Sequence, residues 1–115
     1  MIIKNNAMTL EPSHEHKNGV GTISLLHFAE DQALNSIGRC FGISMIPPGC
    51  SIGYHQHTGE LEIYHMLEGK AEVCDNGTYS ILEPGDTLIC HDGNFHSIRN
   101  LSDSTLKYIA LILYT

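Results

Sequence analysis

An all-β sandwich or barrel is the fold class this sequence predicts, and three observations predict it. Short runs of apolar, β-branched or aromatic residues recur along the chain, turn-forming Pro, Gly, Asn and Asp punctuate them, and no stretch sustains helical periodicity. Val20–Phe28 and Gly38–Ile46 read as the first strands of the barrel. The polar segment Ala29–Ser36 between them has room for one helical turn but not for a packed helix. Pro47-Pro48-Gly49 ends the second strand, because proline presets φ and glycine accepts positive φ. Leu61–Leu67 is a strand that turns at Glu68-Gly69. Asp75-Asn76-Gly77 joins Ala71–Cys74 to Thr78–Leu82 as a hairpin, Asn-Gly being the pair that a tight primed turn demands. Glu83-Pro84-Gly85-Asp86 is a further β-turn, and Thr87–Cys90, Phe95–Arg99 and Leu106–Tyr114 complete the strands. Residues 1–19 read as an N-terminal arm, with Met1–Ile3 as a candidate edge strand on a partner, and residues 20–115 as the barrel.

A chain of 115 residues is one domain, long enough to bury roughly 65% of the surface its unfolded form exposes. Its formal charge of −7 lacks the basic footprint that nucleic acid or an anionic membrane requires, so neither is an expected partner. Met1–Leu10 holds only short apolar pieces broken by Lys4, Asn5 and Asn6, which is neither a secretory signal nor a membrane span. Cys40, Cys50, Cys74 and Cys90 show no CxxC pairing and are expected to be reduced, packed thiols in a cytoplasmic protein.

The chemistry-bearing constellation is His55, His57, Glu62 and His96. One residue separates His55 from His57, so a strand presents both imidazoles on one face. Glu62 lies five residues beyond His57, the wrong parity for a straight strand, and Thr58-Gly59 supplies the turn or bulge that resets it. His96 follows the Asp92-Gly93 turn and must be delivered by the fold. Imidazoles with one carboxylate suit a divalent iron, manganese, zinc, nickel or copper ion, and suit calcium or magnesium poorly. Alternation from Glu62 carries Tyr64 and Met66 to the same side, and alternation from His96 does so for Ile98 and Asn100. Tyr64, Met66 and Ile98 are therefore candidates to line a substrate cavity, with core packing an equally good account of Tyr64 and Met66. Leu61, Ile63 and Leu67 fall on the opposite face, whose expected use is a homodimer interface.

Four further residues carry weaker expectations. His14 and His16, in the polar Pro12–Asn18 segment, read as a solvated loop. His65 has wall or interface parity. His91 is a turn residue by position, with a general base at the rim as the alternative.

The glycines around the four candidate ligands make the pattern specific. Residues 49–69 read G-x5-H-x-H-x4-E-x6-G, from Gly49 to Gly69, and residues 85–100 carry Gly85, Gly93, His96 and Asn100 at the spacing G-x5-P-x-G-x2-H-x3-N. At these positions the sequence resembles the two motifs of the cupin superfamily, with His91 standing where the family usually has proline. The 15-residue gap between Gly69 and Gly85, and the run Ser51–Glu60, look like small single-domain microbial cupins of the oxalate decarboxylase-like kind. The resemblance implies a single antiparallel jelly-roll barrel, a metal inside it, and a dimer. It also favours Glu62 over Glu60 as the carboxylate ligand, leaving Glu60 facing solvent. The family applies this architecture to oxalate decarboxylation, dioxygenation, sugar isomerisation and non-enzymatic binding, so the motifs alone do not choose a reaction. Three neutral imidazoles and one carboxylate leave a divalent site near +1, which attracts a small organic anion. A mononuclear oxygenase, decarboxylase or isomerase acting on a small oxygenated carboxylic acid is the expected function. A non-catalytic module that binds or senses an organic acid or sugar is the alternative, because no acid–base partner is legible beside the ligands.

Overall fold

In the computed structural model, which describes residues 1–115, ten strands form two antiparallel sheets. They are β1 (Thr9–His14), β2 (Thr22–Ala29), β3 (Gly38–Ile46), β4 (Ser51–Gln56), β5 (Glu60–Glu68), β6 (Ala71–Asp75), β7 (Thr78–Leu82), β8 (Thr87–Cys90), β9 (Phe95–Asn100) and β10 (Leu106–Tyr114). One sheet has the order β1-β2-β3-β10-β5-β8 and the other β4-β9-β6-β7, the expected jelly roll. The turn chemistry acts where the sequence puts it: Asn76 and Gly77 take φ of 48° and 95° and close the β6–β7 hairpin. Between β2 and β3 the chain makes turns and no helix, and the four cysteines are free thiols.

The inner faces of the sheets meet over a core in which Ile46, Met66, Ala71, Val73, Ile98, Leu106 and Tyr108 are almost wholly buried. Strict alternation produces this on β10, where Leu106, Tyr108, Ala110 and Ile112 point inward. Burying each large apolar side chain contributes roughly 1.5–3 kcal/mol. Asn100, 4% exposed, closes the second motif as a structural clamp. Its Nδ2 donates to the carbonyls of Ile46 and Ser104 at 2.8 Å each, and its Oδ1 accepts the Ser102 N–H at 2.7 Å.

The N-terminal arm holds an edge strand, Thr9–His14, paired along its whole length with β2 of the same chain, and Met1–Ile3 lie outside every strand of this chain. Pro12 is tolerated there because β1 has a neighbour on one side only. His14 thus belongs to a strand, and His16 to a short 3-10 turn, His16–Asn18, packed on β4. The parity of the candidate ligands has two sources, a bulge in β4 that the sequence did not show and the expected turn at Thr58-Gly59. A bulge between Ile52 and His55, where β4 spends one residue more than β9, sets His55 on the inner face beside His96. Glu62 reaches that space because the chain crosses from one sheet to the other at Thr58-Gly59, where Gly59 adopts φ of 75°.

Candidate metal centre

Both sheets contribute to the cluster: His55 comes from β4, His57 from just beyond its end, His96 from β9 and Glu62 from β5 of the opposite sheet. His57 is pinned through its backbone, its N–H donating to Asn94 O at 3.0 Å and its carbonyl accepting Gly93 N–H at 2.7 Å. The crossing at Gly59 is held by Asp92, whose Oδ1 accepts the Gly59 N–H at 2.8 Å. One donor atom from each of the four side chains lies within 4.8 Å of the others, a set that could hold a metal ion. His57, Glu62 and His96 are 4%, 6% and 0% exposed.

The donor geometry fits a small divalent cation. His57 Nε2, Glu62 Oε1 and His96 Nε2 form a triangle with edges of 3.1, 3.0 and 3.0 Å. Two donors at right angles around one ion, each about 2.1 Å from it, lie about 3.0 Å apart, so the triangle has the dimensions of an octahedral face. The outer nitrogens are also occupied suitably. His55 Nδ1 donates to Gly53 O at 2.7 Å, and His57 Nδ1 donates to Glu60 Oε1 at 2.8 Å, so each ring is free to turn an Nε2 lone pair inward. His96 Nδ1, fully buried, has no such partner. Its ring is held instead by stacking on Tyr64, with centroids 4.9 Å apart and planes 19° from parallel.

The protonation pattern follows from these contacts. Burial lowers the His55 pKa to about 4, so it is a neutral donor over the ordinary pH range. His57 is raised, chiefly by its hydrogen bond to Glu62 and, against burial, by its bond to Glu60. Burial alone would raise Glu62, but the hydrogen bonds from His57 and His96 hold it at about 2. Burial pushes Tyr64 well above 10 and keeps it a neutral phenol. The Cys40 and Cys90 thiols are pushed up to about 12 and about 11, mainly by burial, which makes them packing groups rather than nucleophiles.

Glu60 is the main departure from the sequence reading. Expected in solvent, its side chain is only 13% exposed, bonded to His57 Nδ1 and gripped by Arg39 Nε and Nη2 at 2.7 and 2.8 Å. The Arg39 bonds come first among the causes that bring its pKa to about 2. Its position two residues before Glu62, on the same face of a strand, was the available signal; Arg39 had none.

A cavity of about 200 Å³ opens onto the cluster, bordered by His55, His57, Glu62 and Tyr64. Met66 and Ile98, 1% exposed each, pack in the core and lie outside the cavity wall. Ser44 and Tyr108 line its interior instead, and His16, Lys17, His27 and Arg39 its edge. None of these was legible as a site residue, because cross-strand register brings them there. His91 is an exposed turn residue away from the cavity, and its carbonyl accepts the Asn94 N–H.

Comparison with known proteins bears on what this arrangement is. The Cupin domain family matches residues 42–112. The oxalate-binding protein of Thermotoga maritima is 32% identical over 113 residues, covering 98% of this chain and 93% of that protein. A crystal structure of a predicted oxalate decarboxylase from Thermotoga maritima superposes with a TM-score of 0.94 at 31% identity, covering 100% of both chains. The Schizosaccharomyces pombe Cnp3 cupin domain has a TM-score of 0.73 at 15% identity, covering 91% of this chain and 69% of the other, a likeness of fold alone. With the family match spanning more than half of the chain and both sheets supplying the His/Glu cluster, this protein belongs to the cupin family.

Proposed function

We propose that this chain captures a small oxygen-rich carboxylate, of the oxalate class, at one divalent transition-metal ion held by His55, His57, Glu62 and His96. The observation that carries this reading is the 3.0–3.1 Å triangle of His57, Glu62 and His96 donors at a cavity sized for a small acid. When bound, the ion supplies a Lewis-acidic site for a carboxylate oxygen. The chain's own residues orient the donors through Gly53 and Glu60 and exclude bulk water with Ile23, Leu25 and Ile52. The oxalate-binding name of the Thermotoga maritima relative supports this ligand class.

Capture is favoured over turnover because the groups nearest the cluster are locked. Tyr64 is held as a neutral phenol, and Glu60 is committed to Arg39 and His57. Turnover, as a decarboxylase, oxygenase or isomerase, is the second reading, and His16 is the observation that favours it. Its imidazole lines the cavity with a pKa lowered mainly by burial, which suits a proton acceptor. A homodimer through the outer face of β5, in the reducing compartment that the four free thiols suit, completes the proposal.

Protein purified without added metal is expected to contain close to one equivalent of a transition metal by elemental analysis. It should bind oxalate in calorimetry, and chelation should abolish that binding. His57→Ala and His96→Ala are each expected to lose the metal. Full metal occupancy in both variants would contradict the assignment, and chelator-sensitive consumption of oxalate would move the protein to the second reading.

A further inference from the structure

The cavity extends past the His/Glu cluster to polar groups that the capture of a single carboxylate leaves unused. Tyr108 is 0% exposed, lines the cavity, and its Oη has no hydrogen-bond partner in the protein. Ser44, 4% exposed, lies directly across from it in the β3–β10 register and lines the same space. Cross-strand partners on one face put these hydroxyl-bearing side chains side by side. A buried hydroxyl without a partner is unfavourable, and native proteins rarely tolerate one unless something else meets it.

Two ring contacts place this group relative to the cluster. The Tyr108 ring lies 4.5 Å from that of Tyr64, and the Tyr64 ring stacks on His96 at 4.9 Å. Tyr108 therefore stands one ring further from the donor atoms than Tyr64 does. A cavity of about 200 Å³ exceeds what a few waters need and falls below the roughly 300–1,000 Å³ of sites for drug-sized ligands.

We propose that Tyr108 Oη and the Ser44 hydroxyl form a hydrogen-bonding subsite for the far oxygen of the bound acid, selecting three- or four-carbon diacids or oxo acids over simple monocarboxylates. The inference rests on the function proposed above and specifies its ligand. Burial keeps the Tyr108 phenol protonated, so it donates to a carboxylate or keto oxygen, and Ser44 offers a second donor.

The test uses metal-loaded protein and calorimetry with malonate and succinate, each paired with its truncated analogue, propionate and butyrate. Tyr108→Phe removes one oxygen and keeps the ring. It is expected to weaken the better-bound diacid about tenfold, as loss of a hydrogen bond to a charged group does, and to leave monoacid affinity and metal content unchanged. Ser44→Ala should produce a smaller loss for the same diacid. The metal-free Tyr108→Phe protein should keep the parent's circular dichroism spectrum, which separates a lost ligand contact from a lost fold. Unchanged diacid affinity in Tyr108→Phe, or an equal loss for diacids and monoacids, overturns the subsite. A parent protein that binds oxalate but neither longer diacid keeps the proposed function and overturns the subsite alone. A parent without metal overturns both.

Discussion

Glu60 shows how one side chain outside the donor set governs it. Its Oε1 holds His57 Nδ1 at 2.8 Å while Arg39 holds both of its oxygens, so His57 is aimed by a group that cannot itself swing away. Glu60→Ala is expected to weaken metal affinity about 10–100-fold, as loss of an outer partner typically does, while the circular dichroism spectrum is preserved. An unchanged affinity would mean that the backbone bonds of His57 suffice. His57 also sets the pH dependence. In the metal-free protein both its nitrogens face carboxylates, Glu62 and Glu60, and its pKa is raised above 6.5. A raised folded-state pKa stabilises the metal-free fold below the unfolded value of 6.5, and that contribution is lost as pH rises through the folded value. Metal binding has the opposite sign, because the ion must displace the Nε2 proton. Apparent affinity is therefore expected to fall about tenfold per pH unit once pH drops below the raised His57 pKa, with His55 still neutral. Metal titrations giving equal affinities at about pH 8 and about pH 6 would refute that assignment of the proton.

At the scale of elements, the bulge in β4 and the turn that covers it act as one device. A Cβ on Gly53 would lie 1.9 Å from the Lys17 carbonyl oxygen, and one on Gly19 would lie 2.2 Å from that of Ser51. The turn is compact because Glu15, Lys17 and Asn18 adopt positive φ, which costs non-glycine residues energy that packing against β4 must offset. Gly53 O also anchors His55 Nδ1, so the contact between arm and strand reaches the donor set directly. Gly53→Ala should destabilise the fold by roughly 1–3 kcal/mol and lower its thermal midpoint by roughly 5–15 °C. Its metal affinity should fall as well, and a midpoint equal to the parent's would show that the arm detaches without consequence. The sequence displays Gly53 between Ile52 and Tyr54, but nothing local says what approaches it. The partner of a close contact is a non-local fact, so the arm reads as a solvated loop until the sheets are assembled.

At the scale of the whole molecule, the outer face of the larger sheet bears on oligomeric state. Leu61, Ile63 and Leu67 alternate outward as the sequence predicts, the first two half-buried and Leu67 38% exposed. The register sets Ile63 beside Leu111 and the 45% exposed Ile89, and Leu61 beside Leu113, a continuous apolar strip across β10, β5 and β8. Such a strip favours association, so light scattering at micromolar concentration is expected to give a dimer. A monomer there would defeat the interface, and charged substitutions at Ile63 and Ile89 should dissociate it. The strands, the Asn76-Gly77 hairpin and the spacing of His55, His57, Glu62 and His96 were legible in the sequence, because turn preference, side-chain alternation and motif spacing are properties of neighbouring residues. Tertiary structure alone decided that Glu60 faces His57 rather than water, that Thr9–His14 pairs with β2, and that Tyr108 and Ser44 meet in the cavity while Met66 and Ile98 do not. Those outcomes depend on which sheet each strand joins and in what register, and contacts between residues distant along the chain settle both.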